Sequence, residues 1–487
     1  MKRLWILLAG VMLQATALAQ NPAQQYVQQM VRRKPLQGTL VGVSVQDAQG
    51  QALVAYNDTQ RLTPASNTKL ITTGCALHAF GPDHRFRTGL GYTGTIQDGT
   101  LEGDLYILGG GDPTIGAKDS LAYKPDALFW KWKSLLKRAG IERIHGRIVG
   151  DGSAYEGLLE HASWSFDDVG TYYGTGTSAL CFYQNAIDYS VAPKAEGEPA
   201  LFVQTYPETP WMHTANYSVT GPAGSGNTLY LYTTDLAPYA QLRGGYAVDR
   251  KPKTEHFSNK YGALTCAYYF WKNLKSTGWE VTGGYADVDR SGRLRGPDFV
   301  SMEPAGKPVE IGYTESPRLR DITRITNWES DNFYAEAFFR AMGEAATTVA
   351  SYDSCLVAVK DVLQDLGLPP EGVRLADGSG LSRMNYVSAR WLTDYLLAMQ
   401  NSPAFPAFLE SLPAPGEGTL SAIKLQNGQR IRMKSGSMDG VLCYSGYILD
   451  SGGNPAYTFS ILTNNATAKV QEVRSVLTGF LEILLSL

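Results

Sequence analysis

Apolar and polar residues alternate from Leu40 to Gln46, and again from Gln51 to Tyr56 after the turn Asp47-Ala48-Gln49-Gly50. A period of two across a turn predicts a pair of adjacent strands. Ala23 to Arg33 before the pair and Leu70 to Phe80 after it carry a helical spacing instead. The pattern then changes. From about Arg87 to Val288 the chain is rich in Gly, Tyr and Thr, with short strand-like runs at Gly89 to Gln97, Leu105 to Gly109 and Gly146 to Val149 and an amphipathic helix at Ala127 to Ala139. Asp289 to Lys307, rich in Gly, Arg and Pro, reads as a linker back to the first kind of pattern. Helices follow at Ser316 to Trp328, Phe333 to Met342 and Val387 to Gln400, then strands at Arg430 to Lys434, Gly440 to Asp450 and Ala456 to Thr463, and a last helix at Lys469 to Leu485.

Helix, two strands, helices, three strands and a helix close most naturally as an antiparallel sheet with helices on both faces, an α/β (α+β) architecture. The material from 87 to 288 is more than one compact core needs at that point, so it predicts inserted domains. We place the main domain at 20–86 and 289–487, one β-rich insertion at 87–190 and 245–288, and a second, nested insertion at 191–244. In the last helix Val473, Val476, Leu477, Phe480, Leu481 and Leu484 form an apolar stripe without a Lys/Arg cluster opposite, which predicts core packing over membrane-surface binding.

The first residues add a destination. Lys2 and Arg3, an apolar run from Leu4 to Leu13 and the small-residue site Ala17-Leu18-Ala19 form an export signal at 1–19, too short to span a bilayer. With no Cys after the site, we expect a periplasmic protein with no lipid or transmembrane anchor after processing. The 487 residues carry a formal charge of −3, and loss of two cations with the signal takes it to −5, which does not suit nucleic acid. Cys75, Cys181, Cys266, Cys355 and Cys443 are far apart and odd in number, so most are expected to be buried apolar residues. No histidine pair has zinc-site spacing, and neither metal nor cofactor is expected.

Three short motifs carry the chemistry: Ser66-Asn67-Thr68-Lys69, Ser330-Asp331-Asn332 and Lys434-Ser435-Gly436. Each alone is weak, and the chain itself shows why: Ser-x-x-Lys recurs at Ser134-Lys137 and Ser421-Lys424, and Ser-x-Asn at Ser225-Gly226-Asn227. Context separates them. Ser66 follows Thr63-Pro64-Ala65 and opens a helix, where backbone amides favour developing negative charge. Ser134 lies inside a helix and Ser225 in a surface loop. In the expected chemistry Ser66 is the nucleophile and Lys69, three residues on, shares its face as a neutral base. Lys434 is the nearby cation, Ser330 passes a proton, and Asn332 meets a substrate amide. Gly436 lets a substrate backbone approach closely, the amides of Ser66 and Ser437 form an oxyanion hole, and Lys434, Ser435 and Ser437 suit a terminal carboxylate.

With these motifs the chain resembles the class C low-molecular-mass penicillin-binding proteins, the D-Ala-D-Ala carboxypeptidase/endopeptidases, over nearly its whole length. Gly110-Gly111-Asp112-Pro113-Thr114, Gly150-Asp151-Gly152-Ser153, Asp377-Gly378-Ser379-Gly380-Leu381-Ser382-Arg383, Ser330-Asp331-Asn332-Phe333-Tyr334-Ala335-Glu336 and Met438-Asp439-Gly440 are similar to further elements of that family. The resemblance implies a transpeptidase/β-lactamase-like domain carrying two inserted domains, one nested in the other. It also implies peptidoglycan peptides as substrates, β-lactams as inhibitors and an acyl-Ser66 intermediate. The family usually has Thr where this chain has Ser435, which keeps the hydroxyl. The resemblance further suggests Asp168, with Asp167 the alternative, as an acidic reader of the amino end of a diaminopimelate side chain, with Arg383 and Met438 lining the same pocket; Arg383 also reads as a structural tie. The competing readings are a β-lactamase, for which no Glu-x-x-x-Asn element stands in a comparable place, and a non-catalytic penicillin-binding scaffold, which three intact motifs argue against.

Overall fold

The computed structural model describes residues 21–487 apart from 290 and 349; the export signal expected at 1–19 lies outside the described residues. The described residues form two compact units, one of the chain up to Pro82, Thr323–Asp331 and Ala358–Leu487, the other of Asp83–Ile322 and Asn332–Val357.

The first unit is built on a five-stranded sheet in the order Ala52–Tyr56, Leu40–Asp47, Pro455–Asn464, Val441–Leu449, Ile431–Met438, antiparallel throughout. The strand Leu40–Asp47 alternates although both its faces are buried, because Val41, Val43 and Val45 face the apolar helices while Ser44 and Gln46 on the other face meet polar side chains. On one face the helices Pro22–Met30 and Val470–Leu485 bury Ala23, Val27 and Met30 with Val473, Leu477, Phe480 and Leu484 against the strand residues Val43, Val45, Ile448 and Phe459. The last helix is therefore a core helix, with its whole predicted stripe buried. The helix Ala389–Met399 covers the other face, where Thr393 hydrogen-bonds Ser44 at 2.8 Å and the Tyr447 hydroxyl donates to the Leu396 carbonyl at 2.7 Å. Among the described residues no helix is long and apolar enough to cross a membrane.

The second unit centres on a seven-stranded mixed sheet. It corrects the sequence reading at its return. Leu294–Arg295 and Ser301–Met302 extend this sheet beside Tyr285–Val288, and Val309–Glu315 pairs antiparallel with Arg87–Tyr92 along the opposite edge. The stretch 289–315, expected as linker and main domain, is thus strand material of the insertion. Its Gly and Pro content hid short edge strands whose partners lie far away in sequence. The smaller β-rich part spans Ala186 to Ser258, wider than 191–244, in three small sheets around Tyr189, Val191, Leu231, Leu242, Tyr246 and Phe257. The helix Asn332–Thr347 belongs to the second unit and not, as expected, to the main domain. All five cysteines are buried and unpaired, and burial pushes their thiols up, which keeps them unreactive.

Candidate active site

Ser66 stands on a turn of 3₁₀-helix, Ala65–Asn67, that runs directly into the helix Thr68–Phe80. Ala65, just before it, has a φ of +48°, a strained value for a residue with a side chain. Three neighbours hold the turn in place. Asn464, at the end of a sheet strand, accepts from the Thr63 amide at 2.7 Å and donates to its carbonyl at 2.9 Å. Asn67 donates to Ser445 at 2.7 Å. Gly436 lies against the turn, since a side-chain carbon there would stand 2.4 Å from the Pro64 carbonyl oxygen and 2.9 Å from the Asn67 nitrogen. This revises the reason for the glycine. Its missing side chain admits the nucleophile's own turn, and the expected approach of a substrate backbone is not what excludes a Cβ there.

The predicted base is in reach. Lys69 is fully buried, and its Nζ donates to Ser66 Oγ at 3.0 Å and to the Ser379 carbonyl at 2.7 Å. Lys434, equally buried, donates to Ser330 Oγ at 2.8 Å and to the Ser435 carbonyl at 2.8 Å. Ser330 also has a left-handed backbone, with φ +58°. Burial first, and the charge of Lys69 second, hold Lys434 well below the ordinary lysine range. Two lysines, expected as Lys69 neutral and Lys434 a cation, compete for charge in one dry site, and the balance of protons belongs to the pair. One amine free of its proton, beside one hydroxyl or the other, is the requirement for activating a serine.

The strand Ile431–Met438 is the outer edge of the five-stranded sheet. The Met433 amide on this edge donates to the Pro413 carbonyl at 3.1 Å, and strand alternation puts the amides of Ser435 and Ser437 on the same side. An extended peptide can add there. Ser437 is exposed, and Ser435 shares a 2.9 Å hydrogen bond with Thr419, a neighbour the sequence did not single out. Arg383 and Met438 border a cleft of ≈ 880 Å³ that starts at Ser437 and runs to Val473. The exposed Arg383 also donates to the Asp439 carbonyl at 3.2 Å, so it ties this edge as well as lining the cleft.

Asn332 and Asp168 belong to the second unit and are linked there through Tyr173. Asn332 donates to the Tyr173 carbonyl at 3.0 Å, and the Tyr173 hydroxyl donates to Asp168 at 3.1 Å. Burial and then the Asp168 charge push the Tyr173 phenol up to about 12. Asp167 is exposed on the same short helix, Phe166–Val169. The loop carrying Asp168 is anchored by two buried cations. Arg340 donates to the carbonyls of Glu156 and Leu158, and Lys260 reaches Glu160 at 3.1 Å and the carbonyls of Gly174 and Thr175 at 3.0 and 3.2 Å. No motif pointed to Tyr173, Arg340 or Lys260. A buried basic residue has no local sequence signature, because its partners are remote carbonyls.

Sequence context also missed what the Asp377-Gly378-Ser379-Gly380 loop does. Its carbonyls accept from Lys69 and, at 2.6 Å, from Thr72, while the buried Asp377 carboxylate accepts from the Gly380 and Ser382 amides and from Asn385. Gly380, at φ +84°, abuts the Ala65 carbonyl. The loop is a mould for the nucleophile's helix. The rival motifs take no such part: Ser134 donates to the Trp130 carbonyl within its own helix, Ser225 to the Pro222 carbonyl in an exposed loop, and Ser421 and Lys424 are exposed. His78 does join Ser402 at 2.9 Å and Asp365 at 2.8 Å, a Ser-His-Asp line. There Ser402 is buried and accepts from the Ala404 amide, in the turn just before the short helix Phe405–Ser411.

The chain is similar to several known proteins. A D-alanyl-D-alanine carboxypeptidase of Actinomadura sp. (strain R39) is 30% identical over 88% of this chain and 78% of its own length. D-alanyl-D-alanine carboxypeptidase DacB of Haemophilus influenzae is 25% identical over 87% of this chain and 85% of its own. The crystal structure of penicillin binding protein 4 (dacB) from Haemophilus influenzae superposes with a TM-score of 0.78 at 24% identity, covering 94% of this chain and 98% of that one, and so shares the fold, transpeptidase-like with its insertions. The family model for the D-Ala-D-Ala carboxypeptidase 3 (S13) family matches residues 23–483, and the chain belongs to that family of serine-type D-Ala-D-Ala carboxypeptidases.

Proposed function

We propose that this protein is an exported, periplasmic serine DD-peptidase that cleaves D-Ala-D-Ala termini, D,D cross-links of peptidoglycan, or both, through an acyl-Ser66 intermediate. The observation that carries the reading is the pair of buried lysines, one 3.0 Å from Ser66 Oγ and the other 2.8 Å from Ser330 Oγ. The substrate lies along the edge strand, its terminal carboxylate met by Ser435, Ser437 and Lys434. Ser66 Oγ attacks the penultimate carbonyl as its proton passes to the lysine pair. The amides of Ser66 and Ser437 bind the oxyanion. Ser330 returns the proton to the leaving D-alanine, while Asn332 orients the peptide amide. Water then hydrolyses the ester by the same route reversed. A β-lactam enters the same cycle and stops at the acyl stage.

Asp168 reads the free amino group of a diaminopimelate side chain, and the link from Asn332 through Tyr173 to Asp168 supports this; Arg383 and Met438 act as substrate-lining residues of the first unit's cleft. The two-domain, nested character of the insertion belongs to the same reading. The test is labelling with a fluorescent penicillin, together with D-alanine release from a muropeptide. Ser66→Ala is expected to abolish both, a loss of many orders of magnitude. A label recovered on Ser134 or Ser421, or release of D-alanine by Ser66→Ala, refutes it.

A further inference from the structure

The second unit carries a groove of ≈ 660 Å³ lined by none of the residues proposed to act on substrate. One wall is the helix Pro125–Arg138, whose Trp130, Ser134 and Arg138 recur every four residues and so align on one face. The other wall is the edge strand Val309–Glu315 of the seven-stranded sheet. The walls are locked together, with Trp132 Nε1 donating to Thr314 Oγ1 at 3.1 Å and Gly312 leaving just enough room for Leu135. The groove is thus preformed.

Its lining is unusual for the surface of an acidic protein. Trp130 is 67% exposed, Tyr313 43% and Tyr123 39%. Arg85, Lys131 and Arg138 line it against one acid, Glu315, which already pairs with Arg87 at 3.4 Å. Lys131 lies over the Tyr123 ring and Arg87 over the Tyr313 ring, so the cations hold the aromatics in place. Arg138 is exposed and makes no hydrogen bond or ion pair among the described residues. Flat apolar faces stack on sugar rings, and guanidinium groups bind carboxylates. Trp130 and Arg138 are eight residues apart, about 12 Å along the helix, long enough for more than one ring.

We infer that this groove binds glycan strands with free lactyl carboxylates, the polymeric backbone of the wall material at stretches from which the peptides that mask those carboxyls have been removed. This rests on the peptidase reading for its choice of polymer, but the binding is separable from catalysis. The groove holds the enzyme on polymeric substrate, and small peptides do not need it.

The test uses the full processed chain and glycan strands freed of peptide, whose lactyl carboxylates are then exposed. Binding is read by fluorescence anisotropy, with competition by neutral chitin oligosaccharides, polyglutamate and anionic lipid vesicles. Trp130→Ala and Arg138→Ala change exposed side chains. Each is expected to weaken glycan binding about tenfold or more, as for anchors of an interface. Hydrolysis of a small soluble peptide should be unchanged and D-alanine release from insoluble wall that contains stripped strands should fall. Chitin oligosaccharides should compete weakly and polyglutamate hardly at all. Wild-type affinity in both variants overturns the inference. So does polyglutamate or a vesicle competing as well as the glycan, because the groove would then be a plain anion or membrane patch. Penicillin labelling of the same preparations keeps the two readings apart. Lost glycan binding with labelling intact concerns the groove alone, and glycan binding without labelling removes the peptidase reading and leaves the groove.

Discussion

Gly436→Ala distinguishes the two reasons for a glycine on the edge strand. The new carbon would stand 2.4 Å from the Pro64 carbonyl oxygen and 2.9 Å from the Asn67 nitrogen, both backbone atoms that no rotamer can move aside. Ordinary contact starts at 3.4 Å, so strand and nucleophile turn must part by about 1 Å. Overpacking of this kind costs about 1–3 kcal/mol. The same displacement carries Ser66 away from the amide of Ser437, and a misplacement of about 1 Å costs on the order of 100-fold in rate. We therefore expect a lower unfolding temperature together with a roughly 100-fold slower maximal rate of acylation. The assays are thermal unfolding and the time course of labelling by a fluorescent penicillin over a concentration series. An unchanged unfolding temperature with a maximal rate within about threefold of the parent, and only weaker saturation, would refute the reasoning. It would return Gly436 to the role of admitting substrate.

Three further outcomes follow from charges. Lys434 is held well below the ordinary lysine value of 10.5, so the free amine of the pair disappears only as pH falls through that lowered value; acylation should fall with it, and a pH–rate profile with its inflection near 10.5 would contradict this. Asp168→Asn should narrow the preference for peptides with a free diaminopimelate amine, by roughly 5- to 150-fold in kcat/KM, and leave penicillin acylation nearly unchanged; if both substrates fall equally or neither falls, Asp168 is not the reader and Asp167→Asn is next. Asp112 is raised by burial from 3.8 to about 6, so its protonated form suits the fold, and the stability present below 3.8 is lost as pH rises through about 6. Asp112→Asn should stabilise the protein by about 1–3 kcal/mol at pH 8 and hardly at all at pH 4. Equal shifts in unfolding temperature at both values would count against it.

The sequence by itself determined the sheet strands and last helix of the first unit and its candidate reacting groups. Strands such as Leu40–Asp47 and Pro455–Asn464 alternate because one face packs on apolar helices and the other carries small polar residues such as Ser44 and Ser460, and the stripe of the last helix is one buried face. Ser66 and Lys69 meet because three residues along a helical turn bring side chains together, a local fact that periodicity records. What only the tertiary structure decided depends on partners distant in the chain. Gly436 is a glycine because of Pro64, Lys69 is held by Ser379, and Lys434 loses affinity for its proton because burial and Lys69 surround it. Tyr173 joins Asn332 to Asp168, and Lys260 fastens their loop, through carbonyls that carry no residue identity. Val309–Glu315 became a strand of the insertion on the strength of Arg87–Tyr92, more than two hundred residues earlier. Local pattern reports which face of an element is buried. Packing alone decides which backbone and which charge it is buried against, and that sets the conformational strain at Ser66 and the proton balance beside it.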